Sequence, residues 1–145
     1  MDPEKTGERS EPDKFSAYVQ DRFGISIPSR VKIEGKSNLR MMSSELKEFP
    51  TLTPKGISAA NMNGVFPKPS TSFLQLFGNL ATKNTIELEK EEALKFATRQ
   101  NIETKRTAET GYVILKYKGA VLGCGFYKEG KIENLFPKQR KITLK

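Results

Sequence analysis

The C-terminal stretch Gly111–Lys141 is the part of the chain that most restricts its possible folds. Its sequence, GYVILKYKGAVLGCGFYKEGKIENLFPKQRK, contains three runs of strand-forming residues separated by Lys118-Gly119 and Glu129-Gly130. Glycine at the second central position of a two-residue turn allows the positive backbone angle φ that a tight hairpin needs. The stretch is therefore predicted to be a three-stranded β-meander.

This stretch and its flanks also hold nearly all the excess positive charge. From Lys105 to Lys145 the chain has ten Lys and Arg but three Asp and Glu, a net charge of +7, whereas the whole chain carries +8. A polyanionic partner is expected, and RNA, DNA or an anionic membrane surface would each fit. The alternative is that the charge serves only solubility.

Histidine and cysteine, two residue types that catalysis often uses, are absent and present once, respectively. The one cysteine is Cys124. Catalysis by Ser-His-Asp or Cys-His arrangements and the usual zinc sites are therefore excluded. One cysteine cannot form an internal disulfide, which fits a reducing compartment such as the cytoplasm. We expect no catalytic residue, no metal and no cofactor, and we expect Cys124 to be a small buried apolar side chain.

The change in composition after the N-terminal segment defines the predicted domain limits. Residues 1–12 are charged and lack an apolar core, so they are predicted to be a disordered tail, not a signal peptide. No run of 18 apolar residues that could span a membrane occurs. Residues 13–145 are expected to form one domain, with helices and short strands in 13–104 and the basic meander and tail in 105–145.

Three helices and several short strands are predicted before the meander, from apolar spacing, caps and glycine or proline stops. The first helix is capped by Asp13 and runs to about Phe23, with Phe15, Tyr18, Val19 and Phe23 on one face and Gly24 as its stop. The second is capped by Ser70 or Thr71 and has Phe73, Leu76, Phe77 and Leu80 on one face. The third is Glu89–Ala97. The strands are Val31–Gly35, its expected antiparallel partner Asn38–Ser43, Lys55–Met62, Thr85–Leu88 and one near Ile102. A helical turn is predicted at Ser44–Glu48, and Pro67–Ser70 is predicted to be a stiff extended linker. This order indicates an α+β fold with about six or seven short strands curled into a small barrel and three short helices.

The second strand of the meander has an unusual face. Gly123 and Gly125 are expected to share it with Val121 and Tyr127, while Leu122, Cys124 and Phe126 point the other way. Two glycines in alternate positions leave a gap in the side chains. The gap predicts either a bend against a packing neighbour or a ligand that lies directly on the backbone.

The meander also resembles a known family. The residues that carry the resemblance are Gly111–Val113, Tyr117–Gly119, Leu122-Gly123, Gly125, Gly130–Ile132, Asn134-Leu135, Pro137-Lys138 and Arg140. Shorter fragments upstream, in the same order as in the family, are Phe15, Arg22–Ile25, Lys55–Ile57, Lys68–Ser70, Thr82–Asn84 and Ile86–Leu88. Together they resemble the C-terminal PUA-like domain of the Sun/Fmu family of RNA cytosine-5 methyltransferases. The resemblance implies a small RNA-binding pseudo-barrel over about residues 14–142. It implies only the RNA-binding part, because the sequence has no glycine-rich loop for S-adenosylmethionine and no Pro-Cys or Thr-Cys nucleophile.

Nine residues are the candidates for RNA contact. They are Lys116, Lys118, Lys131, Asn134, Lys138, Arg140 and Lys141 in the meander and tail, with Lys55 and Lys68 added by the resemblance. The aromatic candidates for base stacking are Tyr112, Tyr117, Tyr127 and Phe136, at least two of which are expected in the core.

The function that follows is a PUA-like RNA-binding protein without catalysis of its own. It is expected to recognise structured tRNA or rRNA in the cytoplasm, as an accessory to RNA modification or ribosome assembly, alongside an RNA methyltransferase acting in trans. The alternative hypothesis is a protein–protein adaptor that docks onto an RNA methyltransferase or a ribosomal particle.

Overall fold

A computed structural model describes residues 9–43 and 56–136. These ranges contain three α-helices and nine strands, and the strands form two sheets. The elements are α1 (Glu11–Phe23), β1 (Val31–Gly35), β2 (Asn38–Ser43), β3 (Ile57–Asn61), β4 (Lys68–Pro69), α2 (Thr71–Phe77), β5 (Thr85–Glu87), α3 (Lys90–Ala97), β6 (Ile102–Glu103), β7 (Gly111–Tyr117), β8 (Ala120–Lys128) and β9 (Lys131–Asn134). The α+β class and the small PUA-like pseudo-barrel are confirmed. The strands are more numerous than the six or seven expected, and β4 is the one that was not predicted.

Helix α1 begins earlier than predicted, because Ser10 and not Asp13 is its cap. The Ser10 hydroxyl accepts a hydrogen bond from the Asp13 amide at 3.2 Å. Gly24 ends the helix with φ of 74°, as its position predicted. The fully buried residues of the predicted face are Phe15, Val19 and Phe23. No helix in the described ranges is both long and apolar enough to cross a membrane.

The four-stranded sheet has the order β1-β2-β3-β4 and is antiparallel throughout. The predicted pairing of β1 with β2 is confirmed, with Val31 opposite Ser43. The predicted linker is wrong in part, because Lys68 and Pro69 pair with β3. An edge strand tolerates proline, since it needs no donor on its outer side. The predicted turn at Ser44–Glu48 lies outside the described residues.

Helix α2 is capped by Ser70, whose hydroxyl accepts a hydrogen bond from the Phe73 amide at 2.9 Å. The α-helix ends at Phe77 and continues as a 3-10 turn, Gly78–Leu80. This change tightens the spiral, so Leu80 turns outward and is 51% exposed. The apolar face predicted to include Leu80 is therefore corrected at that end.

The five-stranded sheet has the order β5-β7-β8-β9-β6 and contains the meander as predicted. Strand β5 runs parallel to β7, and the other pairs are antiparallel. Both predicted turns have two central residues with positive φ: 51° and 80° at Lys118 and Gly119, and 48° and 82° at Glu129 and Gly130. These values are those of the tight hairpin turn that the glycines predicted.

A β-bulge changes the predicted faces of β8. Leu115 lies opposite Gly123 but Lys116 lies opposite Val121, so Leu122 is the extra residue. Leu122 packs in the core that includes α3, whereas Cys124 packs in the core that includes α1 and α2. The prediction that Leu122 and Cys124 share a face is therefore wrong, because a bulge interrupts the alternation of side chains.

The two faces of this sheet pack into two apolar cores. One core joins α1, α2 and the first sheet to Ile114 and Cys124, and the other joins α3 to the opposite face. The glycine gap lies in the second core. A Cβ atom on Gly123 would lie 3.2 Å from the Phe96 ring, and one on Gly125 would lie 2.5 Å from a methyl group of Ile132. The gap is therefore a packing corner, as the first of the two predictions stated. Atoms of Phe96 and Ile132 occupy the space in which the alternative prediction placed a ligand.

Polar contacts tie α1 to the start of β7. The Arg22 guanidinium donates to the Tyr112 carbonyl at 2.8 Å and to the Glu109 carbonyl at 2.7 Å. The Asn84 amide donates to the Arg22 carbonyl at 2.7 Å. Two of the fragments that carried the upstream resemblance, Arg22–Ile25 and Thr82–Asn84, are thus neighbours in space.

Candidate nucleic-acid interface

Five of the nine predicted RNA-contacting residues lie in the described ranges. They are Lys68, Lys116, Lys118, Lys131 and Asn134. The other four, Lys55, Lys138, Arg140 and Lys141, lie outside the described residues.

The first basic position is the β7–β8 turn. Lys118 is exposed, and its Nζ lies 5.5 Å from the centroid of the Tyr117 ring. Lys116 is half-buried and lies opposite Glu87 of β5. The Glu87 carboxylate also accepts the Gly119 amide at 3.2 Å. This end of the sheet therefore combines two ammonium groups with one carboxylate.

Lys131 lies at the other end of β8, beside the β8–β9 turn. Strand β8 has nine residues, so its ends are about 26 Å apart at a rise of about 3.3 Å per residue. The structure therefore places Lys118 and Lys131 at separate positions along the sheet. A single phosphate group cannot contact both.

Around Lys131 the cores leave part of one face of the sheet uncovered, and we call this surface the open face. It consists of Tyr112, Phe126, Lys128, Lys131 and Glu133, which the strand register places side by side. The rings of Tyr112 and Phe126 meet edge to face, 5.3 Å apart and at 87°. Phe126 was not among the predicted stacking residues, although its position two residues before Lys128 is the signal that would have identified it.

A cleft of about 880 Å³ lies along the open face and the neighbouring edge strand β6. Its charged side chains are Lys95, Lys128, Lys131, Glu103, Glu129 and Glu133. Because both signs are present in equal number, the cleft suits a ligand with acceptor and donor groups more than a bare phosphate.

Lys68 lies in a different groove, between the two sheets. The groove is lined by small polar side chains of β3, β4 and α2 and by Cys124 and Leu135 of the meander. Lys68 lies close enough to Cys124 for its positive charge to affect the thiol. Lys68 is thus the one predicted contact in the described ranges that comes from the first sheet.

The four aromatic candidates divide as expected. Tyr127 and Phe136 are 6% and 7% exposed and belong to the core. Tyr127 also donates its hydroxyl to the Arg106 carbonyl at 2.9 Å. Tyr112 and Tyr117 are half-buried and keep part of each ring at the surface.

Asn134 uses its side chain to hold β9 against α3. Its amide nitrogen donates to the carbonyls of Phe96 and Gln100, both at 2.9 Å. Its amide oxygen accepts from the backbone of Phe136 at 2.9 Å. Because both N–H groups of the amide are used, an RNA acceptor would have to replace one of these hydrogen bonds, whereas the amide oxygen can accept a second one.

Cys124 is buried and free, as predicted. Burial raises the pKa of its thiol to about 12, and the thiol donates weakly to the Gly125 carbonyl at 3.6 Å. The thiolate is the reactive form. We therefore expect a disulfide reagent to leave the folded protein unlabelled at about pH 8, and to label one thiol per chain when guanidinium unfolds it. Complete labelling of the native protein within minutes would contradict this.

The architecture and the C-terminal hairpins together define a PUA-like domain. Residues 83–142 match the family model of the methyltransferase RsmF PUA domain, which confirms the resemblance predicted from the meander. A curated relative is the ribosomal RNA small subunit methyltransferase F of Aeromonas salmonicida (strain A449). It is 29% identical over 63 residues, which are 43% of this chain and 13% of the relative. The chain thus spans a small part of that relative's length.

Proposed function

We propose that this chain is an RNA-binding module that recognises structured rRNA or tRNA as an accessory to RNA modification or ribosome assembly. The observation that supports the proposal is the overlap of two features. The PUA match covers residues 83–142, and residues 105–145 carry a net charge of +7 out of +8. The relative is by name a methyltransferase of small-subunit ribosomal RNA, so a fragment of that RNA is the first ligand to test.

The proposed mechanism is electrostatic capture followed by local recognition. Lysine and arginine side chains contact phosphates and fix the position of the RNA, while stacking and shape supply selectivity. Lys118 and Lys131 are exposed at opposite ends of the β8 strand, so they would contact phosphates on different parts of a folded RNA. The other members of the proposed set are Lys55, Lys68, Lys116, Asn134, Lys138, Arg140 and Lys141. Catalysis and an association with a separate methyltransferase are not needed for this mechanism.

The salt dependence of binding tests the electrostatic step. If four to six phosphates are neutralised, the logarithm of the affinity should fall with the logarithm of the salt concentration with a slope of about −3 to −5. Fluorescence anisotropy with a small-subunit rRNA fragment and with a tRNA, between about 50 and about 200 mM salt, measures it. An affinity that does not change over this range would contradict electrostatic capture.

A second candidate function is the protein–protein adaptor, and one surface loop favours it. Val65 is 93% exposed and Phe66 is 39% exposed, beside Tyr18 of α1, whose ring lies 6.4 Å from that of Phe66. Exposed apolar side chains of this kind suit contact with another protein. The adaptor is favoured if the purified chain shifts no RNA at low salt but retains a methyltransferase or ribosomal protein after nuclease treatment.

A further inference from the structure

The open face has an aromatic ring that is already held in place. Phe126 lines the cleft, and Tyr112 packs against it edge to face at 5.3 Å. A ring fixed by a neighbour loses little conformational freedom when a base stacks on it. Stacking of a nucleobase on an aromatic side chain is a general way to bind unpaired nucleotides.

Two lysines lie beside this ring. Lys128 and Lys131 are directly opposite each other across the β8–β9 turn, and like charges in that arrangement destabilise a strand pair. Glu103 of β6 lies opposite Lys131 on its other side and offsets part of this repulsion. An anion between the two ammonium groups would relieve the repulsion. Phe126 and Lys128 are two residues apart on one strand, about 7 Å, which is of the order of the distance from a base to its own phosphate.

Glu133 supplies a different kind of group. It lies opposite Phe126 in the strand register and is exposed. A carboxylate only accepts hydrogen bonds, so it repels a phosphate but can accept two parallel N–H groups. Among the RNA bases, guanine carries two adjacent N–H donors, N1–H and N2–H, on its Watson–Crick edge. Cytosine occupies that edge in a duplex, so only an unpaired guanine could present it.

We propose that the open face binds an unpaired guanine nucleotide of RNA. The base stacks on Phe126, its Watson–Crick edge donates two hydrogen bonds to Glu133, and its phosphate lies between Lys128 and Lys131. This inference rests on the proposed RNA-binding function and specifies the ligand of one part of the interface.

The test uses fluorescently labelled oligonucleotides and the full chain. The probes are UUGUU, UUUUU and a hairpin in which the guanine is paired. UUGUU is expected to bind about tenfold more tightly than UUUUU, since a good bidentate contact gives discrimination of this order, and more tightly than the hairpin. Phe126→Leu should weaken UUGUU binding at least about fivefold, which is the lower range for loss of base stacking.

Glu133→Gln separates recognition from packing. It replaces one exposed oxygen by an amide nitrogen, so it should remove the preference for UUGUU and leave the affinity for UUUUU equal or higher. The matched control is Glu34→Gln, the same change at an exposed residue of β1, which should leave the preference intact. Thermal melting checks that each variant is folded.

The outcomes separate the two proposals. The nucleotide site is overturned if structured RNA binds but UUGUU and UUUUU bind equally, if the paired hairpin binds better than UUGUU, or if Glu133→Gln keeps the preference. RNA binding as such would survive all three results. If neither structured RNA nor any oligonucleotide binds at low salt, both proposals fail.

Discussion

Gly125→Val is expected to destabilise the domain strongly. A Cβ atom at this position would lie 2.5 Å from the Ile132 Cγ2 atom, 3.1 Å from Leu115 Cδ1 and 3.2 Å from the Glu133 carbonyl oxygen. Valine adds two more methyl groups to a core position that has no free space. Overpacking of this size costs about 3 kcal/mol, out of a total of about 5–15 kcal/mol for a typical domain.

Thermal melting followed by circular dichroism measures this effect. A loss of about 3 kcal/mol should lower the melting temperature by roughly 10 °C or more. Gly64→Val is the matched control, because a Cβ atom there would meet only the Phe66 carbonyl oxygen at 3.5 Å, and it should change the stability by about 0.5 kcal/mol or less. Equal melting temperatures for the two variants would show that the corner of β8 can relax.

The double variant Lys138→Glu with Arg140→Glu is expected to lower the affinity for RNA about 100-fold near 0.1 M salt. Each phosphate contact that is lost lowers by one the number of counterions released on binding. The slope of log affinity against log salt should therefore also become less steep by about two. Both residues belong to the basic run at the end of the sequence, which contains no acidic residue after Glu133.

A control with the same change in net charge tests whether position matters. Lys32→Glu with Lys36→Glu reverses two exposed charges in and beside β1. It should weaken RNA binding much less than the tail variant. If both variants lose the same affinity, the charges act only through the net charge of the chain. If the tail variant binds normally, the tail is not part of the interface.

The parts of the fold that were predicted correctly depend on local sequence. Lys118-Gly119 and Glu129-Gly130 form the expected turns because a two-residue hairpin selects residues that accept positive φ. Ser70 caps α2 with its own hydroxyl, and Gly24 ends α1 in the left-handed conformation. In each case the physical cause lies within four residues of the position, so the sequence alone is informative.

The parts that were missed depend on distant partners. The bulge at Leu122 exists only relative to β7, and Pro69 becomes a strand residue only because Ala60 lies beside it. The role of Asn134 in holding α3 follows from the carbonyls of Phe96 and Gln100. For the same reason the sequence placed Lys118 and Lys131 in one basic stretch, while the strand length separates them.

Coverage of the five-stranded sheet by α1 and α2 has a consequence for where the folding unit ends. Ile114 and Cys124 are buried against residues that precede position 78, although the family match begins at residue 83. A fragment of residues 83–142 would expose that apolar face to water and would be prone to self-association. The segment shared with the methyltransferase family is therefore smaller than the cooperative unit that must fold to support it.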